Sequence, residues 1–157
     1  MPPTGEKGQL TAETVAAWSF EQLFEHVRAK ALPESLTWIS QQHAIATKFG
    51  LALIAYEGGQ HLVGVAGGEN NADMTRLFHE ANADPRMGKL YDDYLAGWVA
   101  AGGGLFANFS SVGSWSKWGS WGLLQFSDDN ELNSPKYMAV MRWAAGMGQN
   151  VALPEVP

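Results

Sequence analysis

The stretch Leu51-Ala-Leu-Ile-Ala-Tyr-Glu-Gly-Gly-Gln-His61 decides the predicted fold. Residues 51–56 form an uninterrupted apolar run, which follows Gly50 and stops at Glu57 and the pair Gly58-Gly59. A short apolar run bounded by glycines is typical of a strand buried on both faces, as in parallel sheets covered by helices. Glu57 then stands at the C-terminal end of the strand, where ligands bind in α/β folds. This position makes Glu57 the leading catalytic candidate, although a carboxylate there can equally be solvated or ion-paired.

The composition of the chain restricts its class of partner. The 157 residues are 46% hydrophobic and suit one α/β domain over 1–157, with irregular tails expected at 1–10 and 147–157. The formal net charge is -6 and no Lys/Arg cluster exists, which argues against nucleic acid and anionic membrane as partners. No apolar run is long enough for a membrane span, and the first residues lack signal-peptide character. Disulfides are excluded because the chain has no cysteine.

Helical spacing and capping residues predict five helices and two strands. The predicted helices cover residues about 12–31, 33–48, 74–82, 85–101 and 135–145, and the predicted strands cover 51–56 and 105–110. Their expected first residues or caps are Thr11, Pro33, Asp73, Asp84 and Ser134. The helix over 85–101 is the clearest, because its apolar residues recur at intervals of three and four. Strands alternating with helices favour a parallel sheet.

The small number of strands sets the predicted architecture. Two strands make a poor sheet, and a complete eight-stranded α/β barrel needs roughly 250 residues. The chain is therefore predicted to form part of a (β/α)8, TIM-like barrel, about its last two strand-helix units with the helices that precede them. Such a piece would leave strand edges and apolar helix faces open, so we expect a homo-oligomer.

A Ser/Gly-rich loop over 110–122 carries three tryptophans. Trp115, Trp118 and Trp121 recur at every third residue, a spacing that does not suit a core helix. Exposed indole faces stack well on sugar rings, and indole N–H groups donate to hydroxyls. The alternative is that one or two of these rings plug the end of the barrel. Trp98 and Trp143 lie on predicted helices and are expected in the core.

Several short motifs carry a family resemblance. They are residues 55–62 (AYEGGQHL), 83–87 (ADPRM) with Tyr91, 104–106 (GLF), 116–124 (SKWGSWGLL) and 134–137 (SPKY). Together they resemble the C-terminal part of large bacterial secreted proteins that are described as cellulose-binding or glycoside-hydrolase-like, with a (β/α)8 barrel. The resemblance covers about residues 30–146. It implies the last two barrel strands and a secreted protein.

The resemblance also implies roles for particular residues. In retaining glycosidases with this barrel, the nucleophilic Glu ends the seventh strand and an aromatic residue after the eighth floors the sugar site. Glu57 and the tryptophan loop match these places. The acid/base carboxylate of those enzymes lies on the fourth strand, and this chain has no such strand.

These observations predict a carbohydrate-active protein whose partner is a poly- or oligosaccharide. The leading hypothesis is a glycoside hydrolase acting on β-glucan such as cellulose, with Glu57 as nucleophile or general base. The alternatives are a non-catalytic carbohydrate-binding module or a fragment of a larger barrel enzyme. The predicted substrate contacts are Tyr56, Gln60, His61, Asn108, Trp115, Trp118 and Trp121.

Glycoside hydrolysis generally needs a second carboxyl group. It would have to come from another chain or from a loop or cap of this one, at Glu69, Asp73, Asp128, Asp129 or Glu131. Asp73 is equally a helix cap, and Asp128-Asp129 equally a solvated turn. No cofactor is predicted, and no metal, because the four histidines show no ligand spacing.

Overall fold

Two parallel strands, β1 (Leu53–Gly58) and β2 (Gly103–Asn108), pair with each other in the computed structural model, which describes residues 10–154. Leu53 lies opposite Gly103, Ala55 opposite Phe106, and Gly58 opposite Asn108, with irregularities between these pairs. Because the strands are parallel, both of their C-terminal ends open onto the same side of the molecule.

Helices supply most of the structure. They are α1 (Ala12–Ala16), α2 (Phe20–His26), α3 (Leu32–Lys48), α4 (Ala72–Ala83), α5 (Pro85–Ala100) and α6 (Pro135–Gly146). A π-helical turn, Val27–Ala31, joins α2 to α3 without a break, and 3-10 turns lie at Gly68–Asn70 and Glu131–Asn133. No helix within the described residues is long and apolar enough to cross a membrane.

The predicted helix over 12–31 is wrong. Thr11 caps α1 as predicted, but α1 ends at Ala16, and Ser19 begins α2 with a capping box in which Gln22 is the reciprocal partner. The predicted helix over 33–48 is confirmed by α3, which has Pro33 in its first turn, although the π-helical turn joins it to α2 without a break. The π-helical turn lies directly before Pro33. Proline has no N–H and its ring crowds the carbonyl four residues earlier, so the helical hydrogen bonds must rearrange at this point.

The predicted cap of α5 is confirmed, whereas the predicted cap of α4 is wrong. Asp84 caps α5 by accepting a hydrogen bond from the Arg86 N–H at 2.9 Å. Asn71, not Asp73, caps α4, and its side chain accepts from the Met74 N–H at 3.0 Å. Asp73 lies in the first turn of α4, where its negative charge favours the helix N-terminus.

The hydrophobic core is built by helices. Its fully buried members include Val15, Leu23, Met74, Phe78, Met87, Leu95 and Ala139, which come from α1, α2, α4, α5 and α6. No residue of β1 or β2 is fully buried. Phe106 of β2 packs against the core, with its ring edge-on to Tyr94, Trp98 and Trp143. The sheet therefore lies at the margin of a helical core.

The predicted partial (β/α)8 barrel is wrong. Across residues 10–154 the structure has one small open sheet of two strands, and no barrel wall. The expectation that residues 51–56 are buried on both faces also fails, because Leu51, Ile54 and Tyr56 are exposed, Tyr56 by 81%. The apolar run indicates a strand correctly, but an apolar run does not specify that further strands exist to cover it.

Candidate functional site

Gln60 connects the loop after β1 to the tryptophan-rich loop after β2. Its side-chain Nε2 donates to the Ser120 carbonyl at 2.8 Å, and its Oε1 accepts from the Leu62 N–H at 2.6 Å. Its backbone N–H donates to the Tyr91 hydroxyl at 3.1 Å. The side chain of Gln60 is therefore occupied by protein contacts, which hold the two loops side by side.

Aromatic and polar residues gather around the two strand ends. The Trp121 ring lies 5.9 Å from the His61 ring and 5.9 Å from the Phe109 ring, measured between centroids. Asn108 ends β2 opposite Gly58, and its buried Oδ1 has no hydrogen-bond partner among the described residues. The structure thus brings together four predicted substrate contacts: Gln60, His61, Asn108 and Trp121.

The Gly58-Gly59 pair makes room for the protein's own rings. A Cβ on Gly58 would collide with the Phe106 ring. Gly59 has φ +140°, which favours glycine, and a Cβ there would lie 3.1 Å from the Tyr91 hydroxyl. The space beside these two glycines is therefore taken by Phe106 and Tyr91 and is not open to a ligand.

Glu57 lies near the end of β1 as predicted, with its side chain in solvent. Within the described part of the chain it makes no hydrogen bond or ion pair. The candidate second carboxylates have other contacts: Asp73 pairs with Arg76 at 3.0 Å, and Asp129 accepts from the Gln125 N–H at 2.7 Å. Glu69 likewise accepts from a backbone N–H, that of Gly67, at 3.0 Å. None of these contacts positions Glu57 as a nucleophile needs to be positioned.

Trp115 points toward the interior. The Lys136 ammonium lies 5.1 Å from its ring centroid, and the His79 ring lies 6.0 Å away. Its Nε1 is buried without a partner among residues 10–154. Trp115 thus packs against residues of the protein, although the structure has no barrel end for it to plug.

Lys136 is the centre of a buried polar cluster that the sequence reading missed. It is 1% exposed, and its ammonium donates to the Ser120 carbonyl at 2.6 Å. Asn82, also buried, donates to the Ser120 hydroxyl at 2.8 Å. Burial lowers the pKa of Lys136 to about 7, because the low-dielectric interior disfavours the charged form.

Helical spacing carried a signal for Lys136. It lies three and four residues before Ala139 and Val140, which are both buried, so it shares their face of α6.

Trp118 is the exposed member of the loop. Its side chain is 60% exposed, and it sits on a tight turn closed by two backbone hydrogen bonds between Ser116 and Gly119, at 2.9 and 3.0 Å. The Lys117 ammonium lies 4.6 Å from the Trp118 ring centroid and donates to the Asn70 side-chain oxygen at 2.8 Å. The turn and the lysine together hold the indole in place.

A polar depression borders this turn. It measures about 410 Å³ and opens to solvent, and it is lined by Glu69, Asn70, Ala72, Thr75, Arg76, His79, Glu80 and Lys117. Its wall offers carboxylate, amide, hydroxyl, guanidinium and ammonium groups, and Lys117 connects it to the Trp118 ring.

A second, mostly apolar cavity of about 480 Å³ lies behind the loop that follows β1. Residues 59–63 form one wall, and the segment from α2 through the π-helical turn to α3 forms the facing wall. Gln60 and His61 thus lie between the strand ends and this cavity. Glu57 and the three loop tryptophans do not line it.

No group of three or more His, Asp or Glu side chains in the described residues converges as a metal ion would require. Comparisons with family models, with curated proteins and with solved structures found no match for this chain. The resemblance to cellulose-binding and glycoside-hydrolase-like proteins therefore stays a prediction.

Proposed function

We propose that the protein binds a β-linked glucan, such as cellulose or a cello-oligosaccharide, on the Trp118 surface and does not hydrolyse it. We define the Trp118 surface as Trp118, Lys117 and the polar depression beside them. The observation that carries the proposal is the exposed indole held on a tight turn next to that depression.

The chemistry of this surface suits a sugar. One flat aromatic face matches the apolar face of a pyranose ring, while hydroxyl groups need many donors and acceptors nearby. Asn70, Thr75, Arg76 and Glu80 offer both kinds of group along the depression. Because the Lys117–Asn70 hydrogen bond already holds the turn, little conformational entropy is lost when a ligand stacks on the indole.

Binding without hydrolysis follows from the surroundings of Glu57. Its exposed carboxylate makes none of the described hydrogen bonds or ion pairs, and a catalytic pair would need a second carboxyl group held within several ångströms of it. Glu57 is a solvated residue in this proposal.

The decisive variant is Trp118→Ala. We expect it to weaken binding to cello-oligosaccharide by about 1–3 kcal/mol, the scale of losing one aromatic face. Its melting temperature should stay close to that of the wild type, because the indole is mostly in solvent. Trp38→Ala is the matched control, since Trp38 is 53% exposed but lies on α3. If both variants and the wild type bound cello-oligosaccharide with equal affinity, the Trp118 surface would not be the sugar-binding site.

Reducing-sugar release from soluble glucan separates binding from hydrolysis. We expect none from the wild type. If the wild type did release sugar and Glu57→Gln lost that release while still binding, the protein would be a glycoside hydrolase with Glu57 as its catalytic residue. Loss of a catalytic nucleophile or base costs about 10² to 10⁴ in rate, so the two results are easily told apart.

A further inference from the structure

The apolar cavity behind the β1 loop is a second feature, which sugar binding does not explain. Its interior is formed by Leu23, Phe78, Met87, Leu90 and Tyr91, all buried residues of the hydrophobic core. A volume of about 480 Å³ falls within the range of pockets that hold small organic ligands.

The charged residues that line the cavity, Lys30 and Glu34, are exposed, as is His61, so this part of the lining is the mouth that faces solvent. His26, Lys30, Glu34 and Ser35 line it from the α2–α3 side, and His61 lines it from the opposite wall. The His26 ring is held against Trp18, with 5.1 Å between ring centroids. An apolar interior with polar groups at one end is the arrangement that orients an amphipathic molecule.

Lys30 and Glu34 give this part of the lining one charge of each sign. Lys30 makes no ion pair within the described residues. Burial lowers the pKa of His26, and the nearby Lys30 charge lowers it further. Glu34 lines the same side of the cavity, and its carboxylate would repel an anionic group placed near it. An anionic group placed against Lys30 and away from Glu34 would gain a charge-assisted contact.

We propose that this cavity binds a small amphipathic carboxylate, with its apolar chain among the core side chains and its carboxylate beside Lys30 and His26. The ligand class differs from that of the Trp118 surface, so the two sites are independent. Lys30 supplies the charge-assisted contact, and neutral His26 supplies one ring N–H as a donor.

Octanoate and 1-octanol are matched probes, because they share a chain length and differ only in the head group. We expect saturable, one-to-one binding of octanoate by calorimetry, with octanol at least about tenfold weaker, since a contact with a charged group is lost. Octanoate should also raise the His26 pKa followed by NMR, whereas octanol should not. Octanol binding as tightly as octanoate, or no saturable octanoate binding, would overturn the proposal.

Charge variants test the head-group contact. Lys30→Met should weaken octanoate binding about tenfold and leave octanol unchanged. Lys48→Met is the control, because this exposed lysine of α3 does not line the cavity. Glu34→Gln should tighten octanoate binding by removing a like charge. Weaker binding by Glu34→Gln, or equal effects of the two lysine variants, would show that the cavity does not select a carboxylate.

Filling the cavity tests the location. Ala31→Phe places a ring into the cavity and should abolish binding of both probes, with folding checked by circular dichroism. Ser35→Phe is the second filling variant if Ala31→Phe does not fold. Octanoate binding that survives in a folded filled variant would place the ligand elsewhere. Neither Lys30→Met nor octanoate should alter binding to cello-oligosaccharide, so failure of one proposal leaves the other standing.

Discussion

Replacing Lys136 by Met should remove a pH dependence of stability that the wild type carries. The Lys136 ammonium has one hydrogen-bond acceptor, the Ser120 carbonyl, and the face of the Trp115 ring. These contacts do not compensate for loss of hydration, and burial lowers the pKa of Lys136 to about 7. In the unfolded chain the pKa returns to its usual value of about 10.4.

The sign and the size of the effect follow from proton binding. Between about pH 7 and pH 10 the unfolded chain holds a proton on Lys136 and the folded protein has largely lost it. The free energy of unfolding therefore rises with pH, by at most about 1.4 kcal/mol per pH unit and by about 3 kcal/mol from pH 6 to pH 9.5. Burial raises the pKa of Tyr91 to about 12, which lowers stability only at higher pH.

Urea unfolding at about pH 6, 7.5 and 9.5 measures the effect. The wild type should gain stability across this range and Lys136→Met should lose most of that gain. The Met variant leaves no orphaned acceptor, because Gln60 also donates to the Ser120 carbonyl at 2.8 Å. Lys48→Met removes an exposed ammonium and should keep the wild-type slope. A Lys136→Met slope equal to that of the wild type would refute the assignment of a neutral buried lysine near pH 8.

Three further predictions concern the sheet. Gly58→Ala should lower the free energy of unfolding by about 1–3 kcal/mol through collision with the Phe106 ring. Gly146→Ala is the control, because a Cβ at this position meets no atom within 4 Å, and it should not lower the free energy of unfolding. If chemical denaturation showed the same loss of stability for both variants, the contact between Gly58 and Phe106 would be contradicted. Because Leu105 is exposed and each described strand has one pairing partner, the wild type should self-associate at micromolar concentration in light scattering, and Leu105→Lys should reduce this. A monomeric wild type that binds no hydrophobic dye would refute association through the sheet. Glu57→Gln should change the affinity for cello-oligosaccharide by no more than about twofold, because the Glu57 carboxylate is solvated. A loss of affinity as large as that of Trp118→Ala would show that Glu57 contacts the sugar.

Local features of the sequence determined the elements whose signals are local. The Asp84-Pro85 cap and the regular apolar spacing after it located α5, because capping and helical periodicity depend only on near neighbours. The apolar run after Gly50 located β1, and the glycines before Leu105 located β2 to within two residues. The position of Glu57 near the end of β1 was predicted correctly for the same reason, and the parallel pairing was predicted from the alternation of strands and helices along the chain.

Only the tertiary structure decided what surrounds those elements. The sequence of β1 is compatible with burial on both faces, and the number of strands available to cover it is a property of the whole chain. Trp115, Trp118 and Trp121 are equivalent by spacing, yet contacts with distant residues place the Trp115 ring beside Lys136 with its Nε1 buried, and leave Trp118 in solvent. The apolar cavity is likewise formed by α2, α3, α5 and the loop after β1, which lie far apart in sequence. Burial and pKa depend on these long-range contacts, so they could not be predicted from periodicity, which reports only near neighbours.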